Sequence, residues 1–106
     1  MYPKELIKGT IPVIILKLLA DNKKMYGYQI SKKVLELTQN KIQLREGSLY
    51  PALHKLNENG LVDIETVNIG KRVRRYYTLT KNGTIHMEKR IAETRDFLST
   101  IDNILT

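Results

Sequence analysis

Residues 46 to 60 read Glu-Gly-Ser-Leu-Tyr-Pro-Ala-Leu-His-Lys-Leu-Asn-Glu-Asn-Gly, and this stretch contains both a start and a stop signal for a helix. Ser48 can cap the helix by accepting a hydrogen bond from a backbone N–H two or three residues on. Pro51 then falls in the first turn, where a missing N–H costs nothing. Gly60 supplies the left-handed residue that ends a helix. The stretch therefore predicts one complete helix.

This central helix has two different faces. Apolar residues recur at the spacing of one buried stripe, at Leu49, Ala52, Leu53 and Leu56. The opposite face carries Tyr50, His54, Lys55 and Glu58. Gly47 and Ser48 lie at the positive end of the helix dipole, and the polar face could meet an anionic surface. An ordinary surface helix would show the same pattern, so both interpretations remain open for the helix alone.

The positive charge is concentrated in the first part of the chain. Residues 1–83 hold 15 of the 18 Lys and Arg but only 7 of the 11 Asp and Glu, whereas residues 84–106 hold three bases and four acids. Because the excess of positive charge is confined to this part of the chain, we interpret it as a surface for nucleic acid and not as a general aid to solubility. A membrane surface is less favoured, because it would need basic and apolar residues on opposite faces of one helix.

Length and composition predict one cytoplasmic domain. A chain of 106 residues with 42% hydrophobic residues can build a single core. There are no cysteines and no secretory segment with a cleavage site, which favours a cytoplasmic protein without disulfides. The longest apolar run, Ile11 to Leu16, is far too short to span a membrane.

The first helix is predicted to be apolar almost all round. Residues 1–9 form a short basic arm, after which Thr10 can cap a helix that reaches Ala20, with Pro12 in its first turn. So apolar a helix in so small a domain should be buried both in the core and against a second molecule. The residues that we assign to this second contact are Ile11, Ile14 and Ile15.

The stretch Met25-Tyr26-Gly27-Tyr28 is predicted to lead into a second helix that ends at about Thr38. Gly27 stands between two tyrosines, which indicates a close approach of backbone. The apolar candidates along this helix are Tyr28, Ile30, Val34, Leu35 and Leu37. The polar connection that follows, residues 39–45, has Ile42 and Leu44 in alternation and could include a short strand.

After Gly60 the apolar period becomes that of strands. Residues 62–69 alternate with one slip, which predicts a bulge near Thr66, and Gly70-Lys71 is the expected hairpin turn before a return strand from Val73 to Leu79. Three helices followed by a two-stranded ribbon is the order of a winged helix-turn-helix. The predicted fold class is therefore mainly α, of the α+β type.

The tip of the ribbon carries four positive charges in five residues, with no acid nearby, at Lys71, Arg72, Arg74 and Arg75. Such a wing suits a phosphate backbone, with its tip at the minor groove. Charged residues also protect sheet edges from aggregation. Four of them exceed that need, so we favour DNA.

A last helix is predicted from Lys81 to Leu105, capped by Thr80. Along it spacings of four and three alternate, as in a coiled-coil seam, with Phe97 and Ile104 beside the seam. The seam residues are Met87, Ile91, Thr94, Leu98, Ile101 and Leu105. The stripe is too long for one small domain to cover, which favours a two-fold dimer, although folding back on its own domain is the alternative. We therefore divide the chain into a DNA-binding domain, residues 1–80, and a dimerisation helix, residues 81–106.

With these pieces placed, the sequence resembles the PadR family of bacterial transcriptional regulators, in particular its short members with a single C-terminal helix. The similarity extends from about residue 6 to 83 and includes the central helix and the end of the return strand. The matching stretches are Leu6-Ile7-Lys8-Gly9-Thr10, Tyr26-Gly27-Tyr28-Gln29-Ile30, Glu46 to Leu56, Gly60-Leu61-Val62 and Arg75-Tyr76-Tyr77-Thr78-Leu79-Thr80-Lys81-Asn82-Gly83.

The resemblance implies a homodimeric repressor whose two central helices enter successive major grooves of a pseudo-palindromic operator in double-stranded DNA. The DNA contacts that it implies are Tyr26, Gly27, Ser48, Tyr50, Pro51, His54, Lys71, Arg72 and Arg74. Lys55 lies on the same helix face, and Arg75 joins the set if the strand direction turns it towards DNA.

Some members of the family sense flat aromatic compounds at the dimer interface. The resemblance therefore implies a hydrophobic small-molecule effector as an option, held near Ile14, Phe97 and Leu98. Multidrug-sensing relatives stack such ligands on tryptophan, and this chain has none. We favour plain interface core for these residues.

Other classes of function find less support. No cysteine or glycine-rich phosphate loop is present, and the two histidines, His54 and His86, fall on different predicted helices without a carboxylate at a recognisable spacing. We expect no enzyme, cofactor or metal site. The alternative to an operator-reading repressor is an architectural or plasmid-partition winged-helix protein without an effector, because both would use the same helix and wing.

Overall fold

The structure is a computed structural model that describes residues 2–106; Met1, the first residue of the predicted arm, lies outside the described residues. A three-residue 3-10 turn, Lys8–Thr10, separates the first two helices. The elements are α1 (Lys4–Ile7), α2 (Ile11–Asp21), β1 (Met25–Tyr26), α3 (Gly27–Leu37), α4 (Glu46–Glu58), β2 (Val62–Ile69), β3 (Arg72–Leu79) and α5 (Lys81–Leu105). The predicted fold class, a mainly helical winged helix with a long C-terminal helix, is confirmed.

Helix α2 lies at the centre of the core. Ile15 and Leu16 are fully buried, and the helix packs against α4, α5 and β3. Pro12 falls in its first turn as predicted. The predicted cap is wrong, because the Thr10 hydroxyl donates to the Ile7 carbonyl oxygen at 2.7 Å instead of accepting from the helix. The arm before it is helical, so the chain enters α2 without the extended residue that a cap requires.

Helix α4 begins earlier than the sequence indicated. Arg45 is the extended residue before it, and no side chain caps the helix, so Ser48 lies inside the first turn and Pro51 lies inside the helix. Since proline has no N–H, the Gly47 carbonyl has no donor four residues on. The predicted end is confirmed: Gly60 has φ +73°, and the Leu61 N–H closes the helix on the Leu56 carbonyl at 2.9 Å.

The wing is a regular antiparallel hairpin inside a three-stranded sheet of order β1-β3-β2. Its register is unbroken from Val62 opposite Leu79 to Ile69 opposite Arg72, so the predicted bulge near Thr66 is wrong. The alternation of apolar and polar residues along β2 is irregular because the outer half of the hairpin extends beyond the core. In that outer half, Ile69 is half exposed. The Gly70-Lys71 turn is confirmed, with Gly70 at φ +62°.

Two short segments near α3 differ from the prediction. Met25 and Tyr26 form a strand that pairs with Tyr77 and Tyr76, which no periodicity in two residues could indicate. Residues 39–45 contain no strand, although Leu44 is buried and Ile42 packs on the core. Ile42 and Leu44 alternate with polar residues because this loop packs on the core, but no neighbouring strand is available to pair with it.

Helix α5 is capped as predicted, since the Thr80 hydroxyl accepts from the Gly83 N–H at 2.9 Å. The same hydroxyl donates to the Gly60 carbonyl at 2.7 Å, which ties the start of α5 to the end of α4. Met87 is buried, whereas Leu98 and Leu105, further along the seam, are 58% and 77% exposed. The last turns of α5 therefore leave an apolar surface uncovered within one chain.

Candidate nucleic-acid interface

Helices α3 and α4 meet at a contact that requires glycine. Gly27 is buried, and a Cβ atom there would overlap the Tyr50 hydroxyl and lie 2.7 Å from Tyr50 Cζ. The predicted close approach of backbone is thereby confirmed, with the Tyr50 ring as the group that approaches. Gly27 packs against the Tyr50 ring, and because it is buried it has little surface of its own for a contact with DNA.

A cleft of about 510 Å³ lies between the wing and the starts of α3 and α4. Strand β1 pairs only with Tyr76 and Tyr77, so the edge of β3 from Arg72 to Arg75 is open towards this cleft. The lining residues are Tyr26, Gly27, Tyr50, Arg72, Val73, Arg74, Arg75 and Tyr77. Six of the predicted DNA contacts, from three separate stretches of sequence, are thus brought together.

One arginine of the cleft is held by aromatic rings. The Arg74 guanidinium carbon lies 4.1 Å from the centre of the Tyr26 ring, and the Tyr26 and Tyr76 rings meet edge to face at 5.5 Å. A hydrogen bond with the Tyr76 side chain raises the pKa of Arg74 above its ordinary value. Arg74 is therefore a fixed positive charge on one wall of the cleft.

Tyr77 lies at the base of the cleft. Burial raises the pKa of its hydroxyl above the ordinary value, while the neighbouring Arg75 guanidinium acts in the opposite direction. Since tyrosine is protonated at neutral pH even without this shift, the phenol can donate a hydrogen bond to an anion. The cleft thus combines fixed cations with a neutral donor, which suits a phosphate group.

The four cations of the wing lack acidic partners. The ion pairs among residues 2–106 are Lys17–Asp21, Lys24–Glu65, His54–Glu58 and Arg90–Glu93, and none of them involves the wing cations. The positive potential around the cleft is consequently uncompensated, as the sequence predicted. An anionic polymer would find several free charges along one edge.

The outward face of α4 is accessible next to the cleft. Its predicted contacts Ser48, Pro51, His54 and Lys55 are all exposed. The His54 side chain is 76% exposed and its Nε2 lies 3.2 Å from a Glu58 carboxylate oxygen. Our expectation that neither histidine has a carboxylate at a recognisable spacing is therefore wrong for His54, because Glu58, four residues on, lies on the same helix face.

Some predicted dimer residues have no surface left for a second copy. Ile15 is fully buried, and Ile11 and Met87 are 8% and 7% exposed, because all three pack in the core of their own chain. Ile14 and Ile91 are half buried, whereas Leu98, Ile101 and Leu105 are exposed. A contact with a second copy would therefore use these five residues.

The residues predicted for an effector are not gathered in one cavity of the single chain. Ile14 lines an apolar groove of about 370 Å³ between α2, α3 and α5. Phe97 lines a separate depression beside Gly9 and Thr10. Leu98 lines neither of them.

Sequence reasoning missed a surface beside Tyr26. Tyr28 was predicted to be apolar core, but it is 64% exposed and stacks on Tyr26 with ring centres 6.5 Å apart. The Lys24 ammonium lies 5.0 Å above the Tyr76 ring. The signal was present in the Lys-Lys pairs at residues 23–24 and 32–33, which flank the two tyrosines in sequence.

No group of three or more His, Cys, Asp or Glu in residues 2–106 is placed to hold a metal ion. None of the helices over the same range is long and apolar enough to cross a membrane.

Comparison with known proteins agrees with this geometry. The model of the transcriptional regulator PadR-like family matches residues 15–89, which include the α3–α4 contact and the wing. The chain belongs to the PadR-like family of transcriptional regulators. The resemblance read from the sequence is thus confirmed.

Solved structures of transcriptional regulators share the fold over 77% to 96% of this chain. A transcriptional regulator from Clostridium thermocellum is 27% identical, with a TM-score of 0.89 over 96% of this chain and 99% of that one. A PadR family transcriptional regulator from Eggerthella lenta is 28% identical, with a TM-score of 0.82 over 95% and 86%. Bacillus subtilis PadR in complex with operator DNA is 25% identical, with a TM-score of 0.69 over 77% of this chain and 45% of that one.

Proposed function

We propose that this PadR-like protein is a homodimeric repressor that binds a pseudo-palindromic operator in double-stranded DNA. The observation that carries the proposal is the cleft, where Tyr50, Tyr77 and the wing arginines surround a space for a phosphate beside the exposed face of α4. Likeness to Bacillus subtilis PadR, solved in complex with operator DNA, supports the same partner.

In the proposed complex, α4 enters the major groove while the wing follows the backbone. His54 and Ser48 present hydrogen-bonding groups to base edges, and Lys71 and Arg72 at the wing tip supply affinity that does not depend on sequence. Affinity from such phosphate contacts falls steeply with salt.

The dimer is proposed from the uncovered seam of α5. Leu98, Ile101 and Leu105 continue the stripe that begins at buried Met87. A second copy packed on this stripe and on the groove beside Ile14 would bury it. To read two half-sites, such a dimer must hold its two α4 helices about 34 Å apart, one turn of DNA. A hydrophobic effector would then need a pocket built from both copies, since Ile14 and Phe97 line no common cavity in one.

Selection from a pool of random double-stranded DNA, at near-physiological salt, tests the proposal. The repressor should enrich a two-fold symmetric motif, bind it as two protomers per duplex, and prefer it over random DNA by about a thousandfold or more. Enrichment of no motif, with comparable binding to all fragments, would support the architectural or plasmid-partition alternative.

A further inference from the structure

A second basic surface adjoins the cleft. A shallow concavity of about 340 Å³ lies on the other side of Tyr26, between the turn before β1 and the outer face of α3. Its lining residues are Asn22, Lys24, Met25, Tyr26, Tyr28, Gln29, Lys32, Lys33 and Glu36. Because Tyr26 lines both hollows, the two form one continuous surface.

The charge of this concavity is incompletely neutralised. Lys24 pairs with Glu65 at 3.4 Å, but Lys32 and Lys33 form no ion pair with any carboxylate of residues 2–106. Glu36 follows Lys32 by four residues, the spacing of a helix-surface ion pair, yet the two are not within 4.0 Å of each other. Two free ammonium groups, against the single unpaired carboxylate of Glu36, therefore remain beside an exposed tyrosine, Tyr28.

We propose that this surface, formed by Tyr28, Lys32 and Lys33, binds the phosphate backbone of the same duplex, beyond the phosphates reached by α4 and the wing. The inference rests on the proposed function, because the duplex must first be bound through the cleft. DNA is the favoured occupant because this surface is continuous with the cleft through Tyr26 and because both carry positive charge. Ammonium groups and a phenol hydroxyl are ordinary donors to phosphate oxygens, and they carry no base specificity.

The test is hydroxyl-radical footprinting on a long duplex that carries the motif selected by the wild-type protein. At saturating protein, Lys32→Ala/Lys33→Ala should keep protection over the motif and lose it at a few backbone positions in each half-site. The slope of log affinity against log salt should fall by about two per protomer, one for each phosphate contact removed. Lys32→Arg/Lys33→Arg should keep both the protections and the slope.

Lys81→Ala/Lys89→Ala is the matched control, because it removes two exposed lysines from α5 with the same change of net charge. An unchanged footprint and slope in the Lys32/Lys33 variant would overturn the inference and leave the surface to another partner, such as an acidic protein. Equal effects of the control variant would also overturn it. Failure of the wild-type protein to select or protect any motif would instead refute the proposed function. Circular dichroism of each variant confirms that α3 is folded, and Lys32→Gln/Lys33→Gln repeats the test if the alanine variant is unstable.

Discussion

Gly27 shows how one absent methyl group positions the surface that we propose binds DNA. The Tyr50 ring occupies the space that a Cβ atom would need, so α3 and α4 approach more closely here than other residue types allow. Glycine-specific packing of this kind links a buried position to the orientation of an exposed one.

Gly27→Ala should therefore displace Tyr50 and weaken binding to the selected motif, at a cost in stability of about 1–3 kcal/mol from overpacking. Affinity and chemical denaturation measure the two effects. Gly9→Ala is the control, since its Cβ would meet no atom within 4 Å. In a Tyr50→Ala background the further change at Gly27 should cost much less; a cost equal to that in the wild-type background would show that Tyr50 is not the residue displaced.

On α4, we propose His54 as a base-reading side chain. It is exposed, and Glu58 holds it on the outward face. His54→Ala should change which base the protein prefers at one position of each half-site, while leaving the salt slope nearly unchanged, because no phosphate contact is lost. Repeating the DNA selection with the variant measures this, and recovery of the wild-type motif would exclude His54 as a base-reading residue.

Individual residues also show where sequence reasoning is reliable. The end of α4 at Gly60 was predicted correctly, because few residue types other than glycine adopt a left-handed backbone. The Thr80 cap of α5 was also predicted correctly, because a strand ends directly before it. Ser48 was wrong as a cap because Arg45, whose side chain gives no such signal, has the extended backbone instead. Tyr28 was wrong as core because an amphipathic tyrosine fits either environment.

Among the helices and strands, the wing should contribute affinity without specificity. Lys71→Ala/Arg72→Ala should weaken binding to every DNA sequence alike and lower the salt slope by about two per protomer. Filter binding over a range of salt concentrations measures both, with Lys81→Ala/Lys89→Ala as control. A variant that bound as tightly as the wild type would show that the wing does not contact the backbone. These two residues are preferred to Arg74, which is already engaged by Tyr26.

The junction of α4, the sheet and α5 depends on Thr80, whose hydroxyl accepts from Gly83 and donates to Gly60. Thr80→Ala should lower the free energy of unfolding by about 1–2 kcal/mol, because the first turn of α5 loses its cap. Urea denaturation measures the change. Thr80→Ser keeps the hydroxyl and should retain most of the stability; an equal loss in both variants would point to the methyl group instead of the cap.

Long, strongly patterned elements were predicted well, while short ones depended on their surroundings. The α5 bounds and the hairpin turn followed from caps, periodicity and glycine. Strand β1 exists only because β3 offers it an edge, and residues 39–45 lack a strand because no edge is offered to them. The cleft itself joins three segments distant in sequence. Six of its eight residues could be named from the wing charges and the resemblance, but their geometry, and the part taken by Val73 and Tyr77, could not.

For the chain as a whole, the uncovered end of α5 predicts self-association. Leu98→Asp should shift the protein to a monomer and reduce operator affinity steeply, because one half-site alone must then hold the DNA. Sedimentation equilibrium measures the oligomeric state. Ile85→Asp is the matched control, being 60% exposed, close to the 58% of Leu98, but outside the seam. A Leu98→Asp protein with unchanged mass would place the dimer contact elsewhere.

For the molecule as a whole, we propose that one face, built from the starts of α3 and α4 and from the wing, binds DNA. Mapping of amide chemical shifts by nuclear magnetic resonance, during titration with a duplex carrying the selected motif, tests it most directly. We expect the largest changes in residues 26–28, 46–55 and 70–76, with small changes along residues 88–105. Changes concentrated in residues 88–105, with the wing and α4 unaffected, would contradict it.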